Sequence, residues 1–201
     1  MKLTYLLLFF VTINTYSQED YIVKINDTEL EIALDSTYTL EIDNKSLNIT
    51  FKSKDILVYD DSLFNFQYPS DFKVSKTIID EGVEQIMLMT AEGSGILIQK
   101  YEGFNPTFLN EMMINEITKE SINYGFKLER KDYERKLKSE QTLNIDKAIL
   151  TYKDETNIYE VATIGKKDEG ILIMTMIMDT SINNEQGNKL IELMWNSLNY
   201  K

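Results

Sequence analysis

The chain has 201 residues, a formal net charge of -12 at pH 7, and 43% hydrophobic and 11% aromatic residues. This composition is typical of a folded protein, and the negative charge disfavours binding to nucleic acid or anionic lipid, whose phosphates would be repelled. The chain contains no cysteine and no histidine. Disulfides, zinc sites built on these residues, iron–sulfur clusters and Ser–His or Cys–His catalysis are therefore excluded.

The N-terminus has the pattern of a secretory signal peptide. One cation, Lys2, precedes the apolar run 6–11, and the small residues Thr15 and Ser17 stand before Gln18. The apolar run is much shorter than the ~20 residues that span a bilayer, and no later segment is long and apolar enough to do so. We therefore expect cleavage near Ser17 and a secreted or periplasmic mature protein without a membrane span.

The next region, up to residue 61, follows the pattern of a small β-meander. Apolar residues alternate with polar ones, and Asn and Asp interrupt the alternation, which predicts half-buried antiparallel hairpins. The alternating segments are 21–25, 29–34, 38–42 and 47–51, and the turns fall at Asn26-Asp27, Asp35-Ser36 and Asp43-Asn44.

From Ser62 onward the pattern changes to mixed strands and helices. Strands are predicted at 64–68, 85–90 and 96–101, with a turn at 69–71 and a loop containing Gly93-Ser94-Gly95. A helix follows the third of these strands. In it, Asn105 is suited to cap the N-terminus, Pro106 suits the first helical position, and Gly125 is suited to end the helix.

The C-terminal part is predicted to contain four strands and a final helix. Three long strands are expected at 127–138, 143–152 and 157–164. The nearly continuous apolar run 171–178 predicts a strand at the centre of the sheet, where both faces are covered. The final helix begins near Asn184, and its apolar face consists of Leu190, Ile191, Met194 and Leu198, with Trp195 beside it in an expected structural role.

Carboxylates are the reactive groups that the composition leaves. Acidic pairs occur at Asp60-Asp61, Asp80-Glu81, Asp154-Glu155 and Asp168-Glu169. All fall in predicted turns, where solvated acids are common, although a hydrolase using two carboxylates in a cleft stays possible. No calcium-loop spacing is present, and Gly93-Ser94-Gly95 lacks the residues of a phosphate loop, so we expect a hairpin turn there. A Ser–Lys dyad is possible, but no particular pair is indicated.

Methionine is frequent, and two interpretations of it stay open. The residues are Met87, Met89, Met112, Met113, Met174, Met176, Met178 and Met194. They either fill irregular gaps in the core or line an adaptable hydrophobic groove for a partner peptide or a lipid. Because Met174, Met176 and Met178 share one strand face, a groove is expected there first. The basic stretch 127–136 is interleaved with acids, which indicates a solvated strand face.

The run Phe64-x-Phe66-x-Tyr68-Pro69-x-Asp71-Phe72 resembles the opening of PsbP-like domains. The order of elements that follows is also similar: two strands, a helix, antiparallel strands of which the last is strongly apolar, and a helix carrying Trp195. The resemblance covers about residues 62–201. It implies an α/β/α sandwich around an antiparallel sheet and a role in binding or assembly, as for photosystem II extrinsic subunits, a nuclear import cofactor and bacterial effector chaperones.

These observations predict an α+β protein with a signal peptide (1–17), a small β-meander extension (18–61) and a PsbP-like domain (62–201). We expect an exported, non-enzymatic binding or assembly protein that contacts another protein of the cell envelope. No catalytic, cofactor-binding or metal-binding residue is predicted, and no nucleic-acid partner. Two alternatives are a carrier of a lipid or hydrophobic ligand and a small carboxylate-dependent hydrolase.

Overall fold

The computed structural model describes residues 21–25, 28–42, 45–179 and 184–201. The chain divides into two compact units, one ending at Ser53 and the other comprising Lys54–Lys201. The expected signal peptide and the turn pairs Asn26-Asp27 and Asp43-Asn44 lie outside the described residues. Within the described part of the chain, neither helix has the length and hydrophobicity that a membrane span requires.

The first unit contains the two hairpins that the alternation predicts. Each hairpin is an antiparallel two-stranded sheet of its own, so the described strands do not form the continuous meander that we expected. The Asp35 N–H donates to the Phe51 carbonyl at 2.7 Å, beyond the ends of the second hairpin, and the Ala33 N–H, which follows the first hairpin, donates to the Tyr38 hydroxyl at 2.6 Å. The strands are β1 (Tyr21–Ile25), β2 (Thr28–Ile32), β3 (Thr37–Ile42) and β4 (Lys45–Thr50).

The second unit begins earlier than the change of pattern indicates. Strand β5 (Ile56–Asp60), which the sequence places in the extension, pairs antiparallel with β6 (Phe64–Pro69). The Tyr59 ring also stacks on the Phe66 ring at 5.4 Å between centroids. The sequence analysis predicts no strand at 56–60, and alternation does not in any case reveal the partner of a strand, so the sequence places this boundary too late.

The large sheet of the second unit has eight strands and is antiparallel throughout. Its order is β10-β12-β13-β14-β9-β8-β7, with β11 also pairing with β12. Strand β14 stands in the middle, which confirms the prediction from its apolar sequence. The strands are β7 (Ser75–Asp80), β8 (Val83–Met89), β9 (Gly95–Glu102), β10 (Lys127–Arg130), β11 (Tyr133–Lys136), β12 (Thr142–Tyr152), β13 (Glu155–Lys166) and β14 (Glu169–Ile177).

The two helices pack on opposite faces of this sheet. Helix α1 (Asn110–Tyr124) and the preceding 3-10 turn Pro106–Phe108 lie over β10, β12, β13 and β14. Helix α2 (Glu185–Ser197) covers the other face together with a small sheet of order β15-β6-β5, in which β15 is Asn199–Tyr200. The predicted α+β fold, an antiparallel sheet flanked by helices, is therefore confirmed for this unit.

The ends of α1 follow from the predicted capping residues. The Asn105 side chain accepts the Thr107 N–H at 3.1 Å, and Pro106 begins the 3-10 turn. The α-helix itself starts one turn later than predicted, at Asn110. It ends at Gly125, whose φ of 114° lies in the left-handed region that favours glycine.

The strand predicted at 127–138 is divided in two. Regular pairing with β12 stops at Lys131-Asp132, between β10 and β11, although the Lys131 N–H still donates to the Lys147 carbonyl at 3.0 Å. There the Asp132 carboxylate accepts the Lys147 N–H at 2.9 Å, which replaces a bond between strand backbones. The charged residues in the middle of the segment therefore mark the interruption.

Candidate binding surface

The two faces of strands β8 and β9 are covered to very different extents. On the face toward α2, here called the closed face, Ile86, Leu88, Ile96 and Ile98 are at most 1% exposed. On the other face, every described side chain from Val83 to Met89 and from Leu97 to Tyr101 is only half-buried. We call this second surface the open face, formed by Gln85, Met87, Met89, Leu97, Gln99, Tyr101 and Met176.

The open face exists because α1 covers only part of its side of the sheet. The helix packs on β10, β12 and β13, and the 3-10 turn packs on β13 and β14. The register places Met174, Leu97 and Met87 directly opposite one another on three neighbouring strands. Met174 is 6% exposed within the core beneath the helix, whereas Leu97 and Met87 are half-buried. The burial of these side chains therefore decreases from β14 to β8, toward the edge of the sheet.

Exposed aromatic rings continue the open face toward α1. The Tyr101 and Phe104 rings are 5.6 Å apart, and the Phe104 and Phe108 rings are 5.2 Å apart. Phe108 is 69% exposed and Met112, in the first turn of α1, is 59% exposed. An apolar side chain exposed singly is ordinary, but contiguous rings beside a methionine-rich strand face are typical of an interaction site. We call Tyr101, Phe104 and Phe108 the aromatic edge.

A line of polar side chains crosses the open face. The Tyr101 hydroxyl donates to Gln99 Oε1 at 2.6 Å, Gln99 Nε2 donates to Gln85 Oε1 at 3.4 Å, and Gln85 Nε2 approaches Met87 Sδ at 3.1 Å. Each amide still has a spare N–H donor. The open face is thus apolar with a central strip of amides, which suits a partner that offers both side chains and backbone carbonyls.

Acidic residues stand at both ends of the strands that form the open face. The turn between β7 and β8 contains Asp80 and Glu81, Glu102 ends β9, and Glu92 lies in the loop between β8 and β9. Residues 80–82, 90–95 and 102–104 include no lysine or arginine. Glu102 is paired with the Lys100 ammonium at 3.4 Å, so the negative charge at the ends of the open face comes from Asp80, Glu81 and Glu92.

The methionines were expected either to fill the core or to line a surface groove, and the structure places different methionines in each kind of position. Met174 and Met194 are buried core residues, at 6% and 0% exposure. Met176 and Met178 are half-buried at the margin of the core under α1. Met87 and Met89 lie on the open face. Core and surface positions are therefore both present, and the surface methionines Met87 and Met89 lie on β8, nearer the edge of the sheet than the strand β14 that the sequence indicated.

The acidic pairs lie at the predicted turns, but one residue of each pair belongs to the adjoining strand, and one of the carboxylates, that of Asp61, is buried in an ion pair. Asp61 forms an ion pair with Lys100 at 2.9 Å, and both side chains are 9% exposed. The Ser62 hydroxyl accepts a hydrogen bond from the same ammonium at 3.0 Å, so a Ser–Lys pair is present. Burial alone would lower the pKa of Lys100, but the hydrogen bond and charge of Asp61 outweigh it and raise that pKa. The cluster thus joins the Asp61-Ser62 turn to strand β9.

A second group of acids surrounds Arg130. Its guanidinium lies 3.0 Å from Asp132, 3.4 Å from Glu111 and 3.6 Å from Asp146. Burial raises the pKa of Asp146, and the charge of Arg130 opposes that rise. Because the guanidinium contacts all three carboxylates, the group ties α1 to the edge of the sheet. Among the described residues, no cluster of three potential ligands is placed to hold a metal ion.

The Gly93-Ser94-Gly95 segment is the hairpin turn that the sequence predicts, and it also has a contact that the sequence does not reveal. Ser94 is fully buried. Its hydroxyl donates to Asn184 Oδ1 at 2.9 Å and accepts the Met178 N–H at 2.9 Å. The turn thus joins the end of β14 to the start of α2.

Fold and surface together define an α+β protein with a sheet between helices and one incompletely covered apolar face. No protein-family model matches the sequence, and no curated protein matches it. Among solved structures, the chain is similar to cyanobacterial PsbP (CyanoP) from Synechocystis sp. PCC 6803, with 10% identity, a TM-score of 0.47, and 73% of this chain and 93% of that chain covered. A Bacteroides thetaiotaomicron VPI-5482 protein shows 13% identity and a TM-score of 0.38, with 73% and 48% covered.

Proposed function

We propose that this is an exported, non-enzymatic binding or assembly protein that contacts another protein of the cell envelope through its open face. Export rests on the pattern of residues 1–17. Binding rests on one observation above all. Met87, Leu97, Phe104 and Phe108 form an apolar surface that α1 leaves uncovered, and such surfaces are costly for a soluble protein that has no partner.

The partner that fits this surface is a protein with an apolar segment flanked by lysine or arginine. Methionine side chains adapt to different apolar shapes, and aromatic rings supply contact area at small entropic cost. The carboxylates of Asp80, Glu81 and Glu92 at the ends of the surface favour positive charge at the edges of the partner. Anionic lipid is disfavoured by the same charges.

The two alternative functions have less support. A hydrolase needs a carboxyl group that gives up a proton beside a second carboxylate, whereas Asp61 is paired with Lys100 and Asp146 lies against Arg130. A lipid carrier needs an enclosed apolar volume. The half-exposed methionines lie instead on an open strand face.

We also propose that residues 62–201 form a PsbP-like domain. The support is the opening run from Phe64 to Phe72 and the order of elements after it, which ends in the helix that carries Trp195. The binding and assembly roles of such domains are in keeping with a surface that acts through contact.

Site-specific photo-crosslinking tests the proposed function. Benzoylphenylalanine replaces Phe108 in one protein and Val58 in a matched control, since Val58 is 59% exposed but lies on the small sheet, on the other side of the large sheet. We expect illumination of intact cells that make the protein to yield one defined heterologous adduct from position 108 and none from position 58. Adducts of equal yield at both positions, or a lack of any heterologous adduct from position 108, would contradict the proposal.

A further inference from the structure

A separate polar site lies under helix α2, on the same side of the sheet as the closed face. A cavity of about 320 Å³ opens there between β11, β12, β13, β14 and the helix. The register places Lys147 directly opposite Glu160, and Glu160 directly opposite Thr175. Three polar side chains thus form a row across three neighbouring strands. The row borders a core that is otherwise apolar.

The charge of Glu160 is compensated within this row. Its carboxylate accepts hydrogen bonds from the Lys147 ammonium at 3.0 Å, the Tyr133 hydroxyl at 3.1 Å and the Thr175 hydroxyl at 3.4 Å. Burial raises the pKa of Tyr133, so its hydroxyl keeps its proton at neutral pH and donates it in the hydrogen bond to Glu160. Lys147 and Glu160 therefore neutralise each other, and the carboxylate has three donors.

Arg135 lines the same cavity and forms no ion pair with a carboxylate of the described residues. Its guanidinium carbon lies 5.2 Å from the centre of the Trp195 ring and 5.9 Å from that of Tyr133. In the part of the chain that the structure describes, no carboxylate lies within the 4.0 Å of an ion pair with Arg135. Its Nε is buried without a hydrogen-bond partner, and the bond from Nη2 to the Tyr133 hydroxyl is long, at 3.5 Å.

We propose that this cavity binds a small organic monocarboxylate. The carboxyl group pairs with the Arg135 guanidinium, whose forked N–H donors match the two oxygens of a carboxylate. The two aromatic rings hold the guanidinium in place, which reduces the entropy lost on binding. The hydrocarbon part of the ligand packs against Ile158, Ile177 and Ile191, which line the same cavity.

Charge and size narrow the class of ligand. Glu160 and Glu192 also line the cavity, and they repel a dianion such as a phosphate monoester more strongly than a monoanion. The volume is at the small end of the range of about 300–1,000 Å³ that is usual for ligand pockets. A short-chain or aromatic acid therefore fits, and a diacyl lipid does not. This site is independent of the open face.

Binding of benzoate and hexanoate to the full chain tests the proposal, with benzamide as the uncharged analogue of benzoate. Trp195 is the only tryptophan of the sequence, so its fluorescence reports on the guanidinium beside it, and amide NMR shifts in β12, β13 and β14 report on the cavity. We expect saturable binding of one or both carboxylates below about 10 mM, and binding of benzamide weaker by about tenfold or more. Lack of saturation by both acids, or equal binding of benzamide, overturns the proposal.

Variants of Arg135 locate the site. Arg135→Gln should weaken binding of the carboxylate by about tenfold or more. The neighbouring Lys136→Gln, a change on the exposed side of the same strand, should leave it unchanged. Circular dichroism establishes that each variant is folded. If Arg135→Gln does not fold, Arg135→Lys keeps a cation but loses the fork, and its binding should still be several-fold weaker. Equal binding by the folded Arg135 variant and Lys136→Gln contradicts the assignment.

Discussion

Strands β8 and β9 carry apolar side chains on both faces, and only one of these faces is buried. On the closed face, Ile86, Leu88, Ile96 and Ile98 contact α2 and the small sheet. On the open face, Met87 and Met89 lie outside the core under α1, and Leu97 is half-buried at the margin of that core. Isoleucine and leucine have well-defined rotamers that suit a fixed core, whereas methionine adapts to its neighbours. The difference is in keeping with the proposal that the open face serves contact with a partner, whereas the closed face is part of the core.

The largest expected difference between the two faces is in stability. Ile98 and Leu97 are adjacent on β9 and point to opposite faces. Ile98→Ala should lower the free energy of unfolding by about 4 kcal/mol because it leaves a cavity in a fully buried site. Leu97→Ala should lower the free energy of unfolding by only about 1 kcal/mol, since water can fill the space that the half-buried side chain leaves. Urea denaturation of both proteins measures the difference, and equal losses would show that the open face is part of the closed core.

The closed face also contains the Lys100–Asp61 ion pair, and removal of one partner should be nearly as costly. Lys100→Met leaves a carboxylate that is 9% exposed without its cation, and we expect a loss of about 3 kcal/mol. The double change Lys100→Met with Asp61→Leu should recover much of this loss because no charge is left unpaired. Denaturation of the single and double variants tests this, and an additive effect of the two changes would refute it.

The same pair makes stability sensitive to acid. Burial alone would raise the pKa of Asp61, but hydrogen bonds from Lys100, the Leu63 N–H and Ser62 outweigh it and hold that pKa below the usual 3.8. A carboxyl group with a lowered pKa in the folded state contributes stability at neutral pH that is lost as the pH falls below about 4. We expect the free energy of unfolding to fall more steeply from pH 4 to pH 2 in the native protein than in the double variant. Identical slopes would mean that the pair contributes nothing.

The smallest change in stability is expected on the open face. Met87→Gln replaces a half-buried side chain at the surface with a polar one of similar length, so the free energy of unfolding should change by less than about 1 kcal/mol. Yield of the heterologous photo-adduct from position 108 should nevertheless fall. Thermal unfolding and the crosslinking assay, carried out on the same protein, separate the two effects. A loss of several kcal/mol would place Met87 in the core.

Alternation, continuous apolar runs and helical spacing predict most of the second unit because most of its elements have at least one buried face. The predicted face of α2, with Leu190, Ile191, Met194 and Leu198, is buried throughout. Strand β7 was not predicted, and all six of its residues are exposed. A strand without a buried face has no alternation to detect, and β7 exists because β8 offers it a backbone edge.

The features that depend on distant parts of the chain could not be predicted. Lys100 and Asp61 are far apart in sequence, and so are Arg135 and Trp195. No local pattern joins them. The open face also depends on distant residues. The sequence of β8 predicts a strand, but it does not show which strands of the sheet α1 covers. The length of that helix, Asn110–Tyr124, decides which apolar side chains stay uncovered.

The central claim is that the open face is the binding surface. Its most direct test is to take the partner recovered by crosslinking at position 108 and measure its affinity for purified Phe108→Asp and Val58→Asp proteins. Both positions are highly exposed, at 69% and 59%, so neither change should alter the fold. Phe108→Asp should bind at least about tenfold more weakly than the native protein because it places a charge in an apolar contact. Val58→Asp should bind as the native protein does. Native affinity in the Phe108→Asp protein would show that the open face is not the binding surface.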